Sequence, residues 1–268
     1  MATLSISGSV LITGATSGIG AAYAECLAAR GHDLVLVAQD VAQLEEMAAG
    51  LAERFGVQIS ILPADLSDRD DLARVEWRLR ADSRIGGLVN STCMLASHPF
   101  LGATVATLEK VVQLNITAVM RLAAAVLPAF VERGRGTLIN ISSGLALAPE
   151  SHNGAYGGAS AFVVNFSQSL QAELAGSDVQ VQLVLFDALL EARKASNGMP
   201  LIGKKLSQTP MGFDAMAGAA LVGLARGELI TIPALRDETQ WHALQSARLA
   251  MVSNLSSDEL AARYTASL

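Results

Sequence analysis

Tyr156 and Ser160 stand at the head of an apolar stretch that reads as a helix from about Ser160 to Leu174. At helical pitch their spacing puts both side chains on one face, about one turn apart. A phenol so placed can give or take a proton beside a bound ligand, with its neighbour helping to hold that ligand. An apolar strand, Thr137-Leu138-Ile139-Asn140-Ile141, precedes the pair and ends in Ser142 and Ser143. The weak member is Ser160. A free phenol has a pKa near 10 and handles protons poorly at neutral pH, and a serine brings no charge to lower it.

A second cluster lies near the N-terminus. Thr13-Gly14-Ala15-Thr16-Ser17-Gly18-Ile19-Gly20 falls between an apolar run, Val10-Leu11-Ile12, and a helical stretch from Ile19 to Arg30. Glycines let the chain turn tightly and let backbone approach a pyrophosphate, and the following helix offers free N–H groups and a partial positive charge. At the first strand-to-helix junction this loop predicts nucleotide binding through Gly14, Thr16, Ser17, Gly18, Ile19 and Gly20.

Alternating elements must position both clusters. Strands are expected at 10–12, 33–38, 57–63, 87–89, 137–141, 179–186 and 229–232, with helices at 19–30, 41–55, 68–80, 104–133, 160–174 and 213–226. Continuous apolar strands alternating with helices imply a parallel sheet covered on both faces. Right-handed crossovers make it doubly wound, an α/β fold of about seven strands whose ligand sits beyond the carboxyl ends of the strands. The 268 residues suit one domain, with residues 187–211 as a loop or lid and 236–268 as a helical tail.

Composition narrows the partners. Half of the chain (51%) is apolar and the net charge is -6, which argues against nucleic acid or an anionic membrane. No uninterrupted apolar run of about 18 residues suggests a membrane span, and no basic-then-apolar leader signals secretion. Cys26 and Cys93 lack metal-ligand spacing, as do the four scattered histidines, so no metal is expected and two free, buried thiols in a reducing cytoplasm are.

Together these motifs resemble the short-chain dehydrogenase/reductase family over roughly residues 8–190. In that family the loop reads TGxxxGIG, intact here, and the fold is the Rossmann type. The resemblance implies that Asp65, with Leu66 beside it, contacts the adenine ring, that Asn115 holds a water in the proton relay, that Ser143 orients substrate and that Tyr156 is the proton donor. It also assigns Asn90 to the cofactor side and Gln39 to the ribose end.

Four positions depart from the family. Its YxxxK motif becomes Tyr156 to Ser160. Its NNAG becomes Asn90-Ser91-Thr92-Cys93. The Pro-Gly after the sixth strand becomes Phe186-Asp187. At the end of the second strand, Ala38 offers no acid for a ribose diol, and Gln39 stands where NADP-preferring relatives carry arginine; Arg69 is the nearest other basic candidate. The string from Leu34 to Phe55 still looks more like the NADP-preferring type.

The reading is an NAD(P)H-dependent reductase of a hydrophobic carbonyl compound, or the reverse alcohol dehydrogenase, impaired or atypical, with NADP favoured over NAD and bound weakly. Tyr156, Ser143, Asn115 and Ser160 form the candidate catalytic set. The alternatives are non-redox chemistry on the same scaffold (elimination, isomerisation or cyclisation) and a non-catalytic binding or assembly subunit. Apolar character over Val119 to Phe130 and Ala161 to Leu170 predicts a homodimer or homotetramer.

Overall fold

The computed structural model describes residues 6–95, 99–151, 153–186, 211–252, 255 and 260–265. Seven parallel strands run in the order β3-β2-β1-β4-β5-β6-β7. They are β1 Ser9–Thr13, β2 Leu34–Ala38, β3 Ile59–Pro63, β4 Ile85–Asn90, β5 Gly136–Ser143, β6 Val179–Phe186 and β7 Ile230–Thr231. The order reverses between β1 and β4, which opens a crevice at their carboxyl ends. The doubly wound α/β architecture expected from the alternation is the one observed.

Side-chain alternation explains why both faces must be covered. Val10 and Ile12 of β1, with Leu34 and Leu36 of β2, point into one core, beneath α1 Gly18–Ala28, α2 Val41–Phe55 and a late helix, Phe213–Ala225. Leu11, Val35 and Val37 point the other way, beneath α3 Arg69–Ala81 and α5 Val119–Glu132. All of these strand residues are essentially inaccessible to water, as the near-continuous apolar strands required.

Local chemistry sets the helix ends. Asp40 caps α2 by accepting from the Gln43 N–H at 3.0 Å, and Asp68 caps α3 by accepting from the Asp70 and Asp71 N–H groups at 2.9 and 3.0 Å. The long helix expected over 104–133 is interrupted. It runs as α4 Val105–Val112, a π-helical turn at Gln113–Ala118, then α5. By length and composition Val105–Glu132 could cross a bilayer, but 56% of its most apolar window is buried in this fold. The helix after β5, α6 Gly154–Glu173, begins earlier than the apolar pattern suggested, capped by Asn153 through the Ala155 N–H at 2.9 Å. Tyr156 therefore sits in its first turn.

With the late helix as α7, the chain divides into two compact units, Met1–Pro233 and Ala234–Leu268. The second unit contains α8 Thr239–Val252, none of whose residues is buried, and one turn of α9 Ala262–Thr265. The lid expected over 187–211, including Lys194, Lys204 and Lys205, lies outside the described residues apart from Met211.

Candidate active site

The phosphate loop leaves β1 at Thr13 and enters α1 at Gly18. Gly14 and Gly18 adopt left-handed backbone, with φ of 63° and 51°. Gly20 is required by proximity: a Cβ there would stand 2.2 Å from the Gly14 carbonyl oxygen and 2.6 Å from Ser91 Oγ. Ser17 precedes α1 in extended backbone and makes no side-chain cap, so the first N–H groups of the helix keep their donors for an anion.

Thr13 ties this loop to the end of β4. Its Oγ1 accepts from the Ser91 and Thr92 N–H groups at 3.0 and 3.1 Å, and Ser91 Oγ donates to the Thr13 carbonyl. Thr92 lies against Gly14, its Cα 3.1 Å from where a Gly14 Cβ would be. The bulkier residues of Asn90-Ser91-Thr92-Cys93 thus brace the loop.

A cleft of about 1140 Å³ runs from this loop to Tyr156. Gly14, Thr16, Ser17, Gly18, Ile19, Gln39 and Leu66 all line it. Phe186 and Phe213, in edge contact with centroids 6.5 Å apart, form another part of the wall. The charged residues among its lining are Glu25, Asp40, Asp214 and Arg54, and Arg54 is already held by a bidentate ion pair to Glu25. Sequence gave no signal for Phe213, Asp214 or Arg54, which reach the cleft through helix packing. Arg69, the candidate cation, begins α3 and does not line the cleft.

Asp65 stands just outside that lining, between Ala64 and Leu66. Its Oδ1 accepts from the Ser67 N–H and hydroxyl at 2.9 and 2.6 Å, and Lys110 Nζ lies 3.7 Å from its Oδ2. Burial works to raise its pKa, but the Ser67 bonds, the Lys110 charge and a Gln39 contact together hold it below the ordinary value. Gln39, Asp65 and Lys110 therefore form one polar group drawn from the loops just after β2 and β3 and from α4.

At the other end Tyr156 is 3% exposed and Ser143 1%. Burial pushes the phenol well above an ordinary tyrosine, the neighbouring Cys93 thiol adds to this, and the Ser143 and Ser160 hydroxyls offset it only in part. Ser143 Oγ accepts from the Leu145 N–H at 3.1 Å; its own proton remains available to a ligand or to the phenol. Ser160 Oγ donates to the Tyr156 carbonyl at 2.9 Å.

Two sequence-based assignments meet a different local chemistry. The Asn115 side chain pairs with the Met94 backbone in both directions, accepting from its N–H at 2.8 Å and donating to its carbonyl at 2.9 Å. Its amide holds the loop after β4 in place, and the same residue lines a small cavity beside Tyr156. Asn90 is 2% exposed and is absent from the cleft lining. Its Nδ2 donates to Asn140 Oδ1 at 3.0 Å, and Asn140 Nδ2 donates in turn to Ser167 Oγ at 3.0 Å. That chain crosslinks β4, β5 and α6 inside the core.

The loop end fits a dinucleotide: free helix N–H groups, glycines that admit close backbone approach, and a cleft volume above that of a typical small-molecule pocket. Among the described residues the acids on its wall outnumber the one base, Arg54, which is already paired.

Comparison with known proteins agrees with this architecture. The sequence model of the family described as short chain dehydrogenase matches residues 9–189. A very-long-chain 3-oxoacyl-CoA reductase from Anas platyrhynchos is 35% identical over 182 residues, covering 65% of this chain and 57% of that protein. An inactive hydroxysteroid dehydrogenase-like protein 1 from Rattus norvegicus is 35% identical over 178 residues, covering 65% and 54%. The chain spans little more than half the length of these curated relatives. Among solved structures, a short-chain dehydrogenase from Sphingobium yanoikuyae in complex with NADPH is similar with a TM-score of 0.88 and 44% identity, covering 96% of this chain and 100% of that one. A bulky-bulky ketone specific alcohol dehydrogenase from Comamonas testosteroni has a TM-score of 0.86 and 39% identity, covering 96% and 98%.

Proposed function

The chain belongs to the short chain dehydrogenase family, and from that premise we propose that it is an NADP(H)-dependent oxidoreductase of bulky, apolar ketones and their alcohols, slowed by an untuned proton donor. The observation that carries this reading is one cleft with the glycine loop at one end and buried Tyr156 at the other, Ser143 standing beside the phenol in the adjoining small cavity. The NADPH complex of one similar structure and the bulky ketone specificity of another support the cofactor and substrate class.

Gly14, Thr16, Ser17 and the first N–H groups of α1 hold the cofactor's pyrophosphate, and Gln39 and Asp65 face its adenosine side. The nicotinamide, when bound, supplies hydride. Ser143 donates a hydrogen bond to the carbonyl oxygen, Tyr156 delivers a proton to it, and Phe186 with Phe213 presents an apolar wall to the substrate. Because burial raises the Tyr156 pKa and Ser160 brings no charge, the phenolate left after proton delivery is poorly stabilised, and this is what slows the reaction.

The test is a fluorescence titration with NADPH and NADH, followed by ketone reduction over a panel graded in bulk. Binding of NADPH, weak and only modestly tighter than NADH, with turnover rising toward bulky apolar ketones, supports the reading. No turnover at cofactor saturation favours a second reading, a subunit that keeps fold and cleft without hydride transfer. The similarity to relatives named inactive, together with a serine at 160, gives that reading its basis.

The assembly we propose is a homodimer or homotetramer. Val105, Val112, Met120 and Val131 are all exposed along α4 and α5, and a run of exposed apolar side chains on one helix pair suits a covered face.

A further inference from the structure

At the Gln39 end of the cleft, Asp65 and Lys110 stand as an opposed acceptor and donor. Asp65 Oδ2 lies 3.7 Å from Lys110 Nζ, and the two side chains are 35% and 44% exposed. That gap lets the charges attract but is longer than a hydrogen bond. Their neighbours make the rim of the cleft. Ala64 and Leu66, on either side of Asp65, line it, as does Gln39, which contacts the Asp65 carboxylate. Leu114, one turn beyond Lys110 along the same run of helix, lines it too.

Neither member of this pair is saturated. A carboxylate offers about four acceptor sites. Ser67 fills two of them at Asp65 Oδ1, through its N–H at 2.9 Å and its hydroxyl at 2.6 Å, and Gln39 takes a third. One remains. An ammonium carries three N–H donors, and among the described residues no hydrogen bond engages those of Lys110. The acceptor is also fixed in place, because the Asp65 N–H donates to Asp71 Oδ2 at 2.8 Å. The donor rides on a flexible four-carbon stem and adjusts to what it meets. One acceptor beside one donor is the polarity with which an amide side chain reads adenine, whose amino group donates while a neighbouring ring nitrogen accepts.

We propose that Lys110 is a specificity-determining residue for the adenine base, donating to the ring nitrogen N1 while Asp65 accepts from the 6-amino group beside it. The assignment rests on the cofactor orientation proposed above, with adenosine at the Gln39 end, and needs no hydride transfer. Hypoxanthine reverses both positions: its C6 carries a carbonyl oxygen, which can only accept, and its N1 carries a hydrogen. In the same seat it sets lone pair against lone pair at Asp65 and donor against donor at Lys110. The pair therefore selects adenine over hypoxanthine, and Lys110 supplies part of that choice.

The experiment measures binding of ADP and of its hypoxanthine counterpart IDP by calorimetry, in wild type and in Lys110→Met. Methionine keeps an unbranched side chain at this half-exposed position and removes the charge and the donors. Wild type should bind ADP about tenfold or more tightly than IDP. Lys110→Met should lose about fivefold in ADP affinity with IDP little changed, so that the preference shrinks. A wild type that binds the two alike, or binds neither, overturns the inference. So does an equal loss on both nucleotides, the mark of a lysine acting only as a general charge toward the diphosphate. Should Lys110→Met not fold, Lys110→Ala gives the same comparison. A second arm titrates NADPH and NADH, which Lys110→Met should weaken by the same factor; a loss confined to NADPH assigns the lysine to the 2′-phosphate and overturns its role at the base. An adenine preference that depends on Lys110, in a protein that reduces no ketone, upholds the inference and counts against the oxidoreductase reading alone.

Discussion

The Ser160 hydroxyl lies 2.9 Å from the Tyr156 carbonyl oxygen and donates its only proton there. The residue one turn along from the phenol is thus engaged by the helix backbone, in the i to i−4 arrangement common to serines within helices. To hydrogen-bond a tyrosinate it must first release that carbonyl, and even then it brings no charge. The protein has kept the position and geometry of the proton donor while leaving its ionisation governed mainly by burial, which the Ser143 and Ser160 hydroxyls offset only in part.

The phosphate loop tolerates no side chain at one position. Gly20→Ala would place a Cβ 2.2 Å from the Gly14 carbonyl oxygen and 2.6 Å from Ser91 Oγ. Both are pinned, one by the turn itself and the other by its bond to Thr13. The variant should lose about 1–3 kcal/mol of stability and its dinucleotide binding. Denaturant unfolding and fluorescence titration check the two effects; an alanine at 20 with undiminished NADPH affinity would show that the loop does not hold the cofactor.

Tyr23 predicts a stability effect far from the chemistry. It is fully buried in α1, and its hydroxyl has no hydrogen-bond partner. Burial, with a contribution from Cys26, raises its pKa far above the ordinary value. A folded pKa raised above the unfolded one gives stability that is complete below about pH 10 and is lost as pH climbs beyond that point. Tyr23→Phe removes both the unpaired hydroxyl and the titration. It should be about 1 kcal/mol more stable at neutral pH and should resist alkaline unfolding better than wild type. Urea midpoints at neutral and alkaline pH measure both.

Much of this was legible in sequence because it depends on short-range signals. Strands such as Leu34–Ala38 are apolar throughout since both faces of the sheet are covered, and the loop from Gly14 to Gly20 announces itself by glycine spacing. What escaped depends on contacts across the fold. Asn90 read as a cofactor residue, yet its amide bonds Asn140, 50 residues on. Asn115 read as a relay residue, and its amide also braces Met94, a pairing across 21 residues that no local signal marks. Nothing in Gln113–Ala118 marks a π-helical turn, and Phe213 enters the cleft only because α7 packs against α1.

Assembly gives a prediction that needs no cofactor. Met120 is 42% exposed on α5 and Val112 41% on α4, in line with exposed Val105 and Val131. If a second copy covers this face, Met120→Glu introduces a charge into an apolar contact, and paired copies would face each other with like charges. Wild type should sediment as a dimer or tetramer at micromolar concentration, and Met120→Glu should shift toward monomer with its thermal midpoint lowered. A wild-type monomer near the 27.9 kDa chain mass would remove the assembly proposal.

Ser160→Lys is the sharpest test of the chemistry. In wild type, burial holds the Tyr156 phenol above the ordinary tyrosine range. Tyr156 stays protonated through neutral pH, and alcohol oxidation, which needs phenolate as the base, should keep rising with pH without a plateau below about pH 10. A lysine at 160 starts one turn along α6 from Tyr156, on the wall of the small cavity that the two residues share. An ammonium within a few ångströms favours phenolate by direct attraction and typically moves a pKa by about 1–3 units. The plateau should therefore appear at lower pH, and turnover in both directions should rise by about 10²-fold or more, the usual contribution of a tuned proton donor. The carbonyl bond that now occupies the Ser160 hydroxyl costs the variant little, because the helix is already closed there by its own backbone. Rates of NADPH-dependent ketone reduction and of alcohol oxidation, wild type against Ser160→Lys, across pH, decide the matter. If both proteins are folded, saturated with cofactor and equally inert, Tyr156 is not a proton donor to these ketones, and the oxidoreductase reading falls for that substrate class.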